Sequence, residues 1–239
     1  MKKKLSVGLI GDGHQVRETH LPYLERRAAE REDLEISWVG GCLCTPDEQQ
    51  ACSLREHHRI IPYDPKGYDW PGHFKTNPVD AVIVSNPNAF HSHVIRAALA
   101  EGVNVAVEKP TTIHSDECVE LVALAKEKGL VFLTLSQRRY EDVYQKCKHL
   151  IEDKKLGRIF LINYLISHGF DKTPDGLDFN FRSWRFKKAI SGGGALIDSA
   201  YHGIDTVLWL LKHCPEPELV NLDLIEPTGM HRAMHQAAR

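Results

Sequence analysis

The sequence predicts an α/β fold in which a parallel sheet carries helices on both faces. A short apolar run, Leu5–Ile10, leads into glycines and then into a long helical pattern. Further apolar runs of strand length alternate with helical patterns as far as about residue 135, as in right-handed βαβ units. The alternation stops near residue 136, and the 239-residue length leaves room for a second, smaller domain.

The composition is typical of a globular protein and excludes several function classes. Hydrophobic residues make up 42% of the chain and charged residues 26%, and the formal net charge of -2 gives no general attraction to nucleic acid or to an anionic membrane. The apolar run after residues 2–4 is too short for an export signal, and no stretch has the length of a membrane span. We therefore expect a cytoplasmic protein that binds neither nucleic acid nor membranes.

Cysteine and histidine usage points the same way. The six cysteines form no C-x-x-C pair, which favours reduced thiols in a cytoplasmic setting. Although there are 14 histidines, none has the helical spacing and third ligand of a metal site, so we expect no metal.

The first strand and its glycines predict a phosphate-binding turn. Gly11 and Gly13 follow the strand, and His14 opens a helix expected to run to residue 31. Glycine lets the backbone approach an anion closely, and the N–H groups at a helix start point towards it. The dinucleotide pattern G-x-G-x-x-G is met only in part, because Val16 replaces its third glycine and the carboxylate of Asp12 repels phosphate unless it turns away. Taken alone, these glycines are also compatible with an ordinary tight turn.

The following segments predict five more strands, at residues 34–42, 60–63, 79–84, 103–107 and 130–135. Helices are expected from residue 45 and over residues 88–101 and 115–128, whereas residues 64–78 read mostly as loop. Ligands of parallel sheets bind where the strands end at their carboxyl termini. Gly11, Thr45, Asn88 and Lys109 all follow such strand ends, so four separate stretches converge on one edge.

The second half of the chain predicts a helix at residues 142–153, a long strand at 158–168, a helix at 195–212 and a strand at 219–225. Three glycines precede the helix 195–212, on which Asp198 and His202 share one face and Asp205 continues it. A solvated polar stripe is the simpler interpretation. Apolar residues along this helix favour burial instead. A buried carboxylate and a buried imidazole need a hydrogen-bonding partner or a functional role.

The other candidate is Glu108-Lys109-Pro110, at the tip of a predicted strand. A surface ion pair with a proline turn is the simpler interpretation there. Four elements in the same order nevertheless resemble one family, the Gfo/Idh/MocA oxidoreductases, over about residues 4–213. These are Gly11-x-Gly13, Pro87-Asn88-x-x-His91, Glu108-Lys109-Pro110, and Gly-Gly-Gly-Ala-Leu-x-Asp198-x-x-x-His202.

The resemblance implies an NAD- or NADP-binding Rossmann domain with a doubly wound parallel sheet, residues 1–136. It implies a smaller α+β substrate and dimerisation domain, residues 137–239, with an open, mostly antiparallel sheet that is incomplete here. The implied reaction is hydride transfer between NAD(P) and a hydroxyl or carbonyl of a sugar, inositol or related polyol. The residues it assigns to the cofactor are Gly11, Gly13, His14, Thr45, Pro87, Asn88, His91, Glu108 and Lys109.

The implied catalytic set is Lys109, Asp198 and His202. An imidazole with a pKa near about 6.5 is suited to take the hydroxyl proton, and an ammonium stabilises the developing alkoxide. A carboxylate one turn from the imidazole fixes its tautomer or holds a neighbouring hydroxyl.

Two departures from the family pattern leave alternatives open. The ribose-reading acid after the second strand is missing, since Leu43, Cys44 and Thr45 stand there, which favours NADP over NAD. The short second domain leaves sheet edges unpaired, so we expect a homo-oligomer if that sheet is completed. The same shortness favours the rival hypothesis of a non-catalytic NAD(P)-binding sensor or a truncated pseudo-enzyme.

Overall fold

The computed structural model describes residues 4–42, 58–64, 67–165, 184–194 and 196–212. The chain divides into two compact units, Met1–Leu135 and Ser136–Arg239. No helix within the described ranges has the length and apolar character that crossing a lipid bilayer requires.

The first unit contains a six-stranded parallel sheet in the order β3-β2-β1-β4-β5-β6. Its strands are β1 (Leu5–Ile10), β2 (Leu34–Cys42), β3 (Ile60–Tyr63), β4 (Ala81–Val84), β5 (Asn104–Val107) and β6 (Phe132–Thr134). The predicted parallel α/β sheet is confirmed, with the first three strands at the predicted residues and the last three slightly shorter.

Both faces of the sheet are apolar, as the strand sequences predict. Val82, Val84 and Val107 are fully buried in a cluster that includes residues of the helices over one face. Leu9 and Val39 are fully buried in a second cluster, with Leu21 and Leu24 of the helix that follows the glycine turn. This two-sided burial explains why the strands read as nearly continuous apolar runs.

The helices of the first unit lie between the strands. They are α1 (Leu21–Glu30), α2 (Trp70–Thr76), α3 (His91–Ala100) and α4 (Ser115–Glu127). A π-helical segment, Val16–His20, precedes α1, and a 3₁₀ turn, Asn88–Phe90, precedes α3. The helix predicted from residue 45 lies outside the described residues.

The expected loop at residues 64–78 is wrong in part, because it contains α2. The Asp69 side chain accepts a hydrogen bond from Gly72 N at 3.0 Å, and Pro71 stands in the first turn. Both are helix-start signals that the prolines and glycines around them obscured. Trp70 and Phe74 are buried in the core, which supplies the stability that so short a helix lacks by itself.

The described part of the second unit is mostly helical. Its elements are α5 (Asp142–Glu152), α6 (Lys188–Ser191) and α7 (Tyr201–Leu211), with 3₁₀ turns at Gln137–Tyr140 and Trp184–Phe186 and a π-helical segment at Leu196–Ala200. Lys148 of α5 is buried, and its ammonium donates to Trp209 O at 2.8 Å and to Leu210 O at 3.2 Å. This contact satisfies carbonyls at the carboxyl end of α7 and joins the two helices.

The strand predicted at residues 158–168 is described as far as residue 165, and residues 158–165 are not in a strand. A strand exists only where a neighbour pairs with its backbone, and no described segment of this unit does so. The predicted strand at 219–225 lies outside the described residues.

Candidate functional site

The glycine turn after β1 has, at Gly11, a backbone that only glycine fits. Gly11 has φ +118°, and a Cβ on it would lie 2.5 Å from Ser85 O in the segment that follows β4. Gly13 differs, since a Cβ there would meet nothing within 4 Å. The turn therefore packs against the end of β4 on one side and leaves open space above Gly13 on the other.

The two residues that depart from the dinucleotide pattern are both accommodated. Asp12 is buried, and its Oδ2 lies 3.7 Å from the position that a Cβ on Gly41 would take in β2. The side chain of Val16 is fully buried in the cluster under α1, and the helix has π geometry from this residue to His20. His14 is exposed at the start of the helix.

Glu108, directly after β5, is held by a histidine that the sequence analysis did not identify. His20 Nε2 lies 2.8 Å from Glu108 Oε1, and the two side chains are only 12% and 16% exposed. Lys109 N donates to Glu108 Oε2 at 3.2 Å, and the Lys109 side chain is half-buried. The sequence holds no local signal for the His20–Glu108 pair, because 88 positions separate the two residues.

His91 joins the segments that follow β4 and β5. Its ring is fully buried, with Nε2 2.8 Å from Asn86 O and Nδ1 2.9 Å from Pro110 O. Burial lowers the pKa of His91, although the carbonyl contacts oppose this shift. A neutral ring carries one N–H and donates to one of the two carbonyls. The ring of His91 has no exposed surface, and it fixes the main chain of both segments. Of the other residues predicted in this region, Pro87 is half-buried and Asn88 is 7% exposed.

In the second unit, Asp198 and His202 lie on the continuous helix formed by the π segment and α7. The expectation that this helix is largely buried is wrong for the described chain. Asp198 is exposed, His202 is half-buried, and Leu208 is 56% exposed. The reason is that the described part of this unit supplies only helices and an irregular segment to cover it.

Asp205, the residue expected to continue the face of Asp198 and His202, is paired with Arg139 of the same unit. Both of its carboxylate oxygens accept hydrogen bonds from the Arg139 guanidinium, one at 2.8 Å through Nε. These hydrogen bonds raise the pKa of Arg139. Asp198 is therefore the carboxylate of this helix that we retain as a catalytic candidate.

Tyr164 is a further residue beside this helix that the site prediction did not include. Its ring packs on Gly203, where a Cβ would lie 2.7 Å from the ring, and its hydroxyl lies 2.9 Å from the Tyr144 hydroxyl. Burial, followed by the contact with Tyr144, raises the pKa of Tyr164 to about 12.

Thr45 lies outside the described residues. Among the residues that are described, no three histidine, cysteine or acidic side chains come together as a metal-ligand group.

Comparison with protein families identifies both units. Residues 5–136 match the family model described as an oxidoreductase family with an NAD-binding Rossmann fold. The chain belongs to the Gfo/Idh/MocA family. Residues 144–224 match the C-terminal domain model of the same Gfo/Idh/MocA family.

Two curated relatives illustrate the family. The chain is 28% identical over 212 residues to levoglucosan dehydrogenase of Pseudarthrobacter phenanthrenivorans, covering 87% of this chain and 52% of that protein. It is 29% identical over 142 residues to 1,5-anhydro-D-fructose reductase of Ensifer adhaerens, covering 57% of this chain and 39% of the relative. The chain thus spans about half the length, or less, of these relatives.

Solved structures share the fold of this chain. The aldose-aldose oxidoreductase of Caulobacter crescentus, complexed with glycerol, aligns with a TM-score of 0.65 at 22% identity, over 88% of this chain and 58% of that one. At this identity the likeness establishes the fold alone.

Proposed function

We propose that this protein is a nicotinamide-dependent oxidoreductase that transfers a hydride between NAD or NADP and a hydroxyl or carbonyl carbon of a sugar, inositol or related polyol. The observation that carries the proposal is the glycine turn of an NAD-binding family member, with Glu108-Lys109 two strands away at the same edge of the sheet.

The turn fits a pyrophosphate on its own geometry. Gly11 has the conformation that side chains avoid, and the open space above Gly13 leaves room beside the first N–H groups of the helix. The carboxylate of Asp12 lies against β2, which supports phosphate binding at this turn. We assign Gly11, Gly13 and the exposed His14 to the pyrophosphate.

The end of β5 and the segment after β4 are assigned to the nicotinamide half. Glu108 would accept hydrogen bonds from the ribose hydroxyls, and the His20 contact holds its carboxylate in one orientation. Pro87 and Asn88 would line the ribose and the ring edge. His91 would act by positioning, since its buried ring holds the two segments together.

At the end of β2, the sequence has no acid to select NAD. Thr45 and the N–H groups near it would receive a 2′-phosphate, which favours NADP. Titration with both reduced cofactors, at equal ionic strength, distinguishes the two preferences.

The chain's own groups supply the proton chemistry. Bound nicotinamide provides the hydride acceptor or donor. We assign His202 to remove the substrate hydroxyl proton, Asp198 to orient the imidazole or grip a neighbouring hydroxyl, and the Lys109 ammonium to stabilise the alkoxide.

The names of two relatives support the substrate class. The two curated relatives are named for levoglucosan and for 1,5-anhydro-D-fructose, both sugar derivatives. We therefore propose a sugar or polyol substrate, a cytoplasmic location and association between copies of the chain, the last of which light scattering on the purified protein measures.

The direct test is fluorescence titration with NADH and NADPH, followed by turnover assays on a panel of sugars, inositols and their ketones. Saturable binding together with turnover of at least one panel member is the expected result. Tight binding without turnover on any member would favour the rival sensor or pseudo-enzyme. A lack of binding to either nucleotide would exclude both hypotheses.

A further inference from the structure

Asn86 is a buried amide whose hydrogen bonds the fold does not supply. It lies in the segment just after β4 and is 5% exposed. Within the part of the chain that the structure describes, neither its Oδ1 nor its Nδ2 has a hydrogen-bond partner. Nearly all buried side-chain amides are paired in folded proteins, so an unpaired one calls for a specific explanation.

The main chain of Asn86 lies at the glycine turn and is held in place. A Cβ on Gly11 would come within 3.2 Å of Asn86 N, and Asn86 O lies 2.8 Å from the buried His91 Nε2. The backbone is therefore fixed against the proposed cofactor turn, and only the carboxamide is unengaged. No hydrogen bond has to break for this side chain to rotate about its Cα–Cβ bond.

The position of β4 indicates which half of a dinucleotide comes near. In doubly wound sheets the pyrophosphate lies at the turn after β1, and the adenosine ribose is read at the end of the next strand, here β2. The strand β4 pairs with β1 on the side opposite β2. Asn86 therefore lies on the side of the nicotinamide nucleoside.

The hydrogen-bonding groups of the amide indicate which chemical groups of a dinucleotide could pair with it. A carboxamide offers one acceptor and two donor hydrogens, so a pyrophosphate, which only accepts, would leave Oδ1 unpaired. Ribose hydroxyls and the nicotinamide carboxamide each donate and accept. Either of them would satisfy both ends of the Asn86 side chain.

We propose that Asn86 is a cofactor-recognising residue whose carboxamide turns out of the protein to pair with the nicotinamide nucleoside. This inference rests on the proposed nicotinamide function and adds to it a residue that the family motifs in the sequence did not assign. Leaving the interior relieves the desolvation cost of the unpaired amide, so rotation towards the ligand is favourable.

The test compares Asn86→Leu with the wild-type protein for three ligands: NADH, ADP-ribose and ADP. Loss of two neutral hydrogen bonds is expected to weaken NADH binding about tenfold. Binding of ADP, which lacks the nicotinamide half, stays unchanged. A parallel loss for ADP-ribose identifies the ribose hydroxyls as the partner, whereas a loss confined to NADH identifies the ring carboxamide.

Asn104→Leu is the matched control. Asn104 is an amide of the same sheet whose Nδ2 donates to Asp80 O at 2.8 Å and whose Oδ1 accepts from Val131 N at 2.9 Å. We expect Asn104→Leu to lower the melting temperature and spare all three affinities. Asn86→Leu should leave the melting temperature of the free protein equal or higher, since it removes an unpaired amide.

Three outcomes separate the possibilities. Unchanged NADH affinity in Asn86→Leu, or an equal loss for ADP, would overturn the role of Asn86 while leaving the proposed function intact. A wild-type protein that binds neither NADH nor NADPH would overturn the proposed function itself, and if only NADPH binds, the same comparison is made with NADPH, 2′-phospho-ADP-ribose and 2′-phospho-ADP. If Asn86→Leu fails to fold, Asn86→Ala, which removes the carboxamide without adding a charge, gives the same comparison for the three ligands.

Discussion

The two ends of the parallel sheet use polar side chains in opposite ways. At the amino end, Asn104 bonds to Asp80 O and Val131 N, and Asp80 Oδ2 accepts from Ser6 N at 3.0 Å. These hydrogen bonds join neighbouring strands of the sheet. At the carboxyl end, the amide of Asn86 is buried without a partner among the described residues.

The difference separates groups that serve the fold from groups that await a ligand. A polar group that completes the fold has its hydrogen bonds satisfied within the chain, because leaving them unmade costs about 1 to 3 kcal/mol. A polar group that serves ligand recognition has no hydrogen-bond partner in the free protein, and the free protein bears that cost. The carboxyl end also contains the glycine turn, Glu108 and Lys109, as ligand sites on parallel sheets do.

The largest expected effect is on turnover, from a change at the carboxyl end. Lys109→Ala should lower kcat about 100- to 1,000-fold, because the ammonium that stabilises the alkoxide is gone. Cofactor affinity and melting temperature should change little. Steady-state kinetics on a substrate from the panel, with a thermal melt, measures both, and near wild-type turnover would remove Lys109 from the catalytic set.

The two glycines of the turn sharpen the comparison within the carboxyl end. Gly11→Ala should destabilise the protein by about 2 to 4 kcal/mol, since it combines a positive φ with a clash against a carbonyl. Gly13→Ala should leave stability unchanged, because its Cβ enters open space, and should weaken nucleotide binding by occupying the place of the pyrophosphate.

Urea denaturation and NADH titration of both variants test this pair. Equal stability losses would mean that Gly13, like Gly11, serves the fold. Full nucleotide affinity in Gly13→Ala would place the pyrophosphate elsewhere.

We expect acid to lower the stability of the fold through a residue of α2, away from the glycine turn. Burial, with a smaller contribution from Arg59, lowers the pKa of His73 to about 4 from 6.5. Between these values the unfolded chain binds a proton that the folded chain does not, so unfolding free energy falls as the pH falls. At about 1.4 kcal/mol per unit, the loss between pH 6.5 and 4 is about 3 kcal/mol, and His91 shifts in the same direction.

His73→Phe should therefore flatten the decline of unfolding free energy between pH 6.5 and 4, as measured by urea denaturation at several pH values. Tyr68→Phe is the control, because it removes the hydroxyl 2.9 Å from His73 Nδ1 and leaves the buried imidazole in place. An equal decline in His73→Phe and wild type would show that His73 does not carry this dependence.

The smallest effect is expected at the pair His20–Glu108. His20→Phe removes the contact that orients Glu108 and should weaken NADH binding about three- to tenfold. The matched control is His58→Phe, which breaks a similar pair, His58 Nε2 to Glu25 Oε1 at 2.7 Å, with Glu25 48% exposed. Equal effects of the two changes would mean that His20 has no special link to the cofactor.

Much of the first unit was predictable from local sequence. Strand-length apolar runs predicted the parallel sheet, because a sheet buried on both faces needs such runs on every strand. The glycines and the segments after β4 and β5 marked the edge where the candidate site lies. The helix α2 was missed because its capping residue stands among prolines and glycines that are also typical of loops.

The second unit was less predictable. The pattern over residues 158–168 favoured a strand, yet the described part, residues 158–165, is not in one. Strand formation depends on a partner elsewhere in the chain, which local pattern does not reveal. Likewise, the apolar residues of α7 suggested a buried helix, and Leu208 is nevertheless exposed. Burial depends on what packs against a surface as much as on the surface itself.

The sequence alone determined the alternation of strands and helices, the glycine turn and the family motifs, because these depend on residues close together in the chain. Only the tertiary structure decided which polar groups are paired: Glu108 with His20, His91 with two carbonyls, Asp205 with Arg139, and the side-chain amide of Asn86 with no described residue. Hydrogen bonds act over about 3 Å, so their partners are set by folding, which brings together residues that are distant in sequence.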